Sequence, residues 1–177
     1  NNLASVESGY DTDRVLTMSV TAVAGNSGDF HLRALEDVSA IPGVERVAFA
    51  WGVPLTGNNW GGDILIEDRI APNGPNERVS VPLRSVTPDY FELLGQSIVE
   101  GRGFDASDNG QGTPVAVVNQ TFVDRYLAGS TALGRRFNRR PQDSWLFEIV
   151  GVVSDSRTDD LTQGAQPEVY LSLSSRR

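Results

Sequence analysis

The chain has 177 residues, 39% of them hydrophobic, which suffices for one ordinary domain or two small lobes with a real core. Its net charge of −8, with fifteen cations that are all Arg, argues against a nucleic-acid surface, which needs clustered cations to neutralise phosphates. Cysteine is absent, so disulfides, thiol nucleophiles and cysteine-ligated metal centres are excluded.

The N-terminus, "NNLASVESGYDTDR", has neither a basic n-region nor an apolar h-region, so no targeting peptide is read there. The longest apolar runs, "VAVV" at 115–118 and "IVGVV" at 149–153, fall far short of the ~20 residues of a membrane helix. The chain as given is expected to be soluble.

"VLTMSVTAV" (15–23) alternates, with Leu16, Met18, Val20 and Ala22 on one side, and reads as a half-buried strand. Asp29 is placed to cap the helix "FHLRALEDVSAI", whose stripe is Phe30, Ala34, Leu35, Val38 and Ile41. Pro42-Gly43 stops it. "VERVAFAW" alternates again, with Val47, Phe49 and Trp51 on one face, giving a βαβ-like unit. A loop, "GVPLTGNNWGG" (52–62), leads to strand candidates at 63–67 and 78–86. Pro82 cannot donate to a ladder, so the second strand should be an edge or carry a bulge there.

In "VTPDYFELLGQSIVEGRGF" (86–104), Thr87 is a natural N-cap, Pro88 fits the first helical position, and Asp89 suits the positive end of the helix dipole. Tyr90, Phe91 and Leu94 anchor the helix, and Gly95 is placed as its left-handed C-terminal cap. "PVAVV" is a strand; Asn119 caps "QTFVDRYLA", and Gly129 ends that helix. "LFEIVGVVSD" (146–155), the most apolar run, reads as a central strand, and "PEVYLSL" as a last one with Val169, Leu171 and Leu173 alternating. "GRGF" at 101 and "GRRF" at 134 echo each other, a pair for which chance is the better explanation.

No motif carries catalysis. His31, the only histidine, has no serine or acid at triad spacing, and no G-x-S-x-G elbow exists. Acids cluster as Asp63, Glu67 and Asp68, as Asp105 and Asp108, and as Asp155, Asp159 and Asp160; solvated loop acids are the default, although a pair ~5–9 Å apart could hydrolyse glycosides. "DASDNG" brushes against a calcium loop but lacks the downstream Glu. Arg102 and the run Arg135, Arg136, Arg139, Arg140 could meet an anion, but such clusters commonly pair with local acids. Trp51, Trp60 and the loop between them could stack on a sugar. "NQT" at 119–121 is a glycosylation sequon only formally, because it starts a helix. Catalytic, cofactor and metal residues are therefore read as none.

Seven motifs occur together in order: "GYDTDRVLTMSV", "VPLTGNNW", "VTPDYFELLG" with "GRGF", "PVAVVNQTFVDRYL", "LGRRF", "EIVGVVSD" and "PEVYLSL". Over residues 9 to 173 the chain resembles the extracytoplasmic core domain of MacB-like/FtsX-like ABC transporter permeases, and is most similar to the duplicated orphan permeases of acidobacteria. The resemblance implies an α+β (mixed α/β) fold on the periplasmic side of the bacterial inner membrane. Residues 9–58 are the first part of a βαβ "porter"-like lobe, and residues 59–177 a second, inserted mixed α/β lobe connected back to the first. It implies a non-enzymatic domain of an integral membrane protein, without cofactors, that contacts a partner permease or permease half and in some members a periplasmic adaptor or substrate. A cytoplasmic ABC ATPase drives the motion through the membrane helices, and no nucleic acid is involved. The family's domain ordinarily continues past "VYLSL" into a strand–helix–strand unit that completes the first lobe, which leaves open a truncated chain. The runner-up is a free-standing extracytoplasmic binding module for peptide, lipid or glycan, using the Trp51–Trp60 loop.

Overall fold

The structure, a computed structural model, describes residues 14–20, 30–51, 61–69, 73–74, 77–108, 112–127, 130–139, 147–156 and 164–173. Strands β2 (Gly61–Ile66) and β3 (Val79–Val86) pair antiparallel, with Gly61 opposite Pro82 and Ile64 opposite Val79. Strand β5 (Val115–Asn119), helix α3 (Gln120–Tyr126) and strand β7 (Phe147–Val153) form a parallel pair with a helical crossover, the connection such a pair requires. Between them in sequence, β6 (Arg136–Asn138) lies antiparallel to both β2 and β7. Strand β8 (Val169–Ser172) runs antiparallel to β5 and parallel to β3.

The β3–β8 pairing returns the path to its start. Strands β3, β2, β6, β7, β5 and β8 thus make a closed ring, which removes the free edges an open sheet would leave. Alternation decides what fills it. Ile64 and Ile66, Val81 and Leu83, Ala116 and Val118, Phe137, Ile149, and Val169 and Leu171 come from all six strands into one core, covered by Phe122 and Leu127 at α3. Val115, Val117 and Tyr170, of opposite parity, face a second core shared with Tyr90, Phe91 and Phe104, and Val153 joins them past the register shift in the β5–β7 pairing. Two strands branch from the ring: β4 (Ile98–Gly101) on β7, and β1 (Ala50–Trp51) on β3.

The caps explain the short helices. Asn119 is extended, at φ −89° and ψ 168°, and its Oδ1 accepts the Phe122 N–H at 3.1 Å. That side chain is fully buried, so the formal sequon offers no acceptor. Helix α2 (Tyr90–Leu93) ends at Gly95, whose φ of +70° suits glycine, with the Gln96 N–H donating to the Phe91 carbonyl at 2.8 Å. Its beginning differs from expectation: the Thr87 hydroxyl does not cap the helix but bonds Phe49, and the Thr87 carbonyl accepts the Tyr90 N–H.

Four further expectations are corrected. Residues 14–20, the described part of the first expected strand, have no regular structure, and Leu16 and Met18 are exposed. A period of two reports faces, not partners, and no described strand pairs with this segment. "VERVAFAW" contributes only β1, because only Ala50 and Trp51 find ladder partners, Val86 and Ser85. Strand β6 lies between the helix expected to end at Gly129 and the strand read at 146–155, where no strand was expected. Pro82 neither marks an edge strand nor sits at a bulge; it lies opposite Gly61, one residue before the β8 ladder begins at Leu83, so its missing donor falls where β3 changes partners. Helix α1 (Phe30–Ser39) forms as expected, but none of its residues is fully buried. Asp29, Gly129 and the loop at 52–60 lie outside the described residues.

Candidate functional site

The most heavily charged buried place in the protein lies where β3 meets β8. Arg84 stands opposite Tyr170 in the parallel register, and Glu168 shares Tyr170's side of β8 by the two-residue period. Arg84 is 2% exposed and Glu168 0%. The guanidinium donates from Nε and Nη2 to Glu168 Oε1, at 3.2 and 3.0 Å, and the Tyr170 hydroxyl donates to Oε2 at 2.6 Å. The Glu168 backbone is fixed as well, its N–H donating to Asn119 Oδ1 at 2.8 Å. Burial pulls the Arg84 proton affinity down, but attraction from Glu168, Tyr90 and Tyr170 outweighs it, leaving the guanidinium above its ordinary value. This is a closed ion pair with both carboxylate oxygens engaged. It fixes register and offers no group for chemistry.

Sequence patterning hid this network. Arg84 falls on the face of β3 that also carries Ser80 and Pro82, which reads as solvent-facing. The available signal was Val86 on that same face, together with Glu168 and Tyr170 at matching parity on β8.

The acids weighed for hydrolysis are dispersed into local partnerships. Glu67 receives Arg136 Nε and Nη2 at 2.7 and 2.8 Å, and this bond holds Arg136 above its usual value. Asp108, with its side chain 5% exposed, takes a two-pronged contact from Arg102 at 2.8 and 3.0 Å. Asp105 accepts from the Ser107 hydroxyl and N–H, which hold its carboxyl below the ordinary range. Asp155 accepts from Thr121 N–H and Oγ1 at the start of α3. Asp63 is exposed in β2 and Asp68 in the turn after it, and Asp159 and Asp160 lie outside the described residues. Among the described residues no group of three or more His, Asp or Glu could hold a metal ion.

The arginines are likewise spent locally. Arg102 turns onto Asp108 and Asp105, and Arg135 reaches the backbone carbonyl of Glu67 at 3.4 Å. The Arg139 carbonyl accepts from Arg78 at 2.6 Å, while Arg140 lies outside the described residues. His31 is half-buried, its ring 5.9 Å from that of Phe49. Trp51 is 54% exposed at the end of β1, and Trp60 lies outside the described residues.

What remains as a candidate site is a surface. Of the eight large hydrophobics exposed among the described residues, Leu16, Met18, Val20, Leu32, Ile41 and Trp51 fall within 14–51, and Ile98 and Val99 belong to the ring side. No helix among the described residues is long and apolar enough to cross a membrane.

The sequence matches the family of MacB-like periplasmic core domains over residues 2–177. Comparison with curated proteins gives no match. Among solved structures, the fold is similar to the periplasmic region of MacB from Actinobacillus actinomycetemcomitans, with a TM-score of 0.58 and 18% identity over 81% of this chain and 55% of that one. It is also similar to the extracellular domain of the noncanonic ABC-type transporter YknZ from Gram-positive bacteria, with a TM-score of 0.53 and 14% identity over 79% of this chain and 60% of that one. The chain thus spans little more than half the length of these structures.

Proposed function

The chain belongs to the MacB-like periplasmic core domain family, and from that premise we propose that it serves an ABC-type permease as a non-catalytic lever. In this reading residues 9–58 supply the first lobe and residues 59–177 the second. The domain meets a partner permease or permease half, and an adaptor or substrate, while an ATPase across the membrane drives the motion. The observation that carries the proposal is the one-sided distribution of exposed apolar side chains. The closed ring hides its hydrophobics, whereas the 14–51 region leaves Leu16, Met18, Leu32 and Ile41 uncovered. Large apolar side chains left exposed in one region of the chain favour contact with other protein.

The chain has no cysteine, so single cysteines placed in it report cleanly once any cysteine elsewhere in the parent protein is replaced. In the parent permease, Leu32→Cys and Ile41→Cys should cross-link to a neighbouring polypeptide, or resist a water-soluble maleimide, while Asp124→Cys on the exposed surface of α3 does neither. Free labelling at all three positions would remove the contact face. The binding-module reading draws on exposed Trp51 alone; a thermal-shift screen showing stabilisation by a glycan or lipid, lost in Trp51→Ala, would favour it instead.

A further inference from the structure

Residues 46–51 make three kinds of bond to residues 85–94. Arg46 grips Glu92 with both Nη atoms, at 2.9 and 2.6 Å, and lies 3.7 Å from Asp89. Phe49 is held twice by Thr87: its N–H donates to Thr87 Oγ1 at 2.9 Å, and its carbonyl accepts the Thr87 N–H at 3.0 Å. Ala50 and Trp51 then pair with Val86 and Ser85. Alternation splits the faces of this ribbon. Ala48 and Ala50 pack on the aromatic core, while the Phe49 ring leans toward His31 of α1.

On its other side the same 85–94 stretch is sunk into the ring. Tyr90 and Phe91 are buried, Phe91 edge-on to Tyr170 with ring centroids 5.0 Å apart, and Val86 pairs with Ser172 of β8. The two sides differ in what opening them costs. Withdrawing Tyr90 and Phe91 dismantles a core. Parting Arg46 from Glu92, whose side chains are 41% and 69% exposed, returns two charges to water at little cost.

We propose that residues 85–94 are a coupling joint, in which the Arg46–Glu92 clamp and the Thr87–Phe49 link hold the α1-bearing segment to the ring as one body. The clamp and link open locally while the Tyr90–Phe91 anchor stays shut. The joint's use in the cell rests on the lever reading above; its existence does not.

Amide hydrogen exchange on this chain tests it. Thr87→Val removes the acceptor of the Phe49 N–H at nearly unchanged shape, and Arg46→Glu turns the clamp repulsive. In both variants the amides of 46–51 should exchange about five- to tenfold faster, while those of β5 and β8 keep their protection. Adding Glu92→Arg to Arg46→Glu should bring the rates back toward the original, short of it by the repulsion that Asp89 keeps toward the new carboxylate. Unchanged rates in 46–51 would overturn the joint, as would an equal rise in β5 and β8 or a charge swap that restores nothing. Failure of the lever reading shows elsewhere, as free cysteine labelling in the parent permease with protection here intact.

Discussion

Gly101 of β4 stands opposite Gly151 of β7, and neither position has room for a side chain. A Cβ on Gly151 would run into the Arg102 carbonyl oxygen, and one on Gly101 into the Val150 carbonyl oxygen and Leu133. Gly101 also takes a φ of +71°. The two strands therefore meet backbone to backbone, which is how "GRGF" turns from β4 to bury Phe104.

Substituting either glycine should be costly. Gly151→Ala has no left-handed backbone to fight, so its loss is steric alone, on the order of 2–3 kcal/mol. Gly101→Ala adds a left-handed penalty of about 1–2 kcal/mol. Gly112, with nothing within 4 Å of its added Cβ, is the control, and Gly112→Ala should change stability by less than about 0.5 kcal/mol. Urea unfolding of the three variants checks this ordering; equal midpoints for Gly151→Ala and Gly112→Ala would show that the strands can part freely.

The buried ion pair predicts a non-additive cycle. Arg84→Met leaves Glu168 charged in the interior without its guanidinium partner, and should cost about 3–5 kcal/mol. Glu168→Leu removes the counter-charge of buried Arg84 and should cost a similar amount. The double variant removes both charges together and should cost well below the sum. A cycle measured by denaturant unfolding reads the coupling directly, and strict additivity would mean that the two side chains act independently.

Those two features mark where the sequence was legible and where it was not. Strands β5 and β7 follow from apolar runs, β8 from alternation and helix α3 from the Asn119 cap, because each signal there is local. The Thr87 misreading has a physical cause. "TPD" is good helix-start chemistry, but the hydroxyl is captured by Phe49, 38 positions away, and nothing local reports that partner. Strand β6 spans three residues and exists because β2 and β7 flank it, so it carries no period of its own. Residues 15–20 have a clean period of two, and the ladder partner that would turn it into a strand is absent among the described residues. The Arg84–Glu168 pair needed knowledge of which strands meet. Both "GRGF" and "GRRF" prove to place a left-handed glycine, Gly101 and Gly134, beside β7.

The Asp105–Ser107–Asp108–Arg102 turn sets a pH response. The folded-state pKa of Asp105 is lowered, first by the Ser107 hydroxyl and N–H. Its contribution is therefore fully present above the unfolded carboxylate pKa of about 3.9 and is lost as pH falls through the lower folded value. Arg102 is raised, chiefly by its bond to Asp108, so its share is present at all lower pH and fades only in strong alkali. Stability measured from neutral to acid pH should hold level and then decline below about pH 4. Ser107→Ala should flatten part of that decline; an unchanged acid limb would show that Asp105 takes no part in it.

Asn119 joins three pieces of the fold through one side chain. Its Oδ1 accepts from Phe122 N–H and from Glu168 N–H, and its Nδ2 donates to the Gln166 carbonyl at 2.8 Å. Asn119→Ala loses the helix cap, worth about 0.5–2 kcal/mol, and strands a buried Glu168 N–H, worth about 1–3 kcal/mol more. Asn119→Asp separates these roles. It keeps the acceptor for both N–H groups but places a carboxylate oxygen against the Gln166 carbonyl, in a site that is 0% exposed. The Asp variant should therefore fall between wild type and Asn119→Ala at neutral pH. Protonation would replace the lost donor, so its folded pKa is raised, and the variant should recover stability relative to wild type as pH falls through that value. Unfolding curves at neutral and mildly acid pH distinguish the cases, and an Asp variant as damaged as Ala at both would mean that the Gln166 contact, not the cap, carries the position.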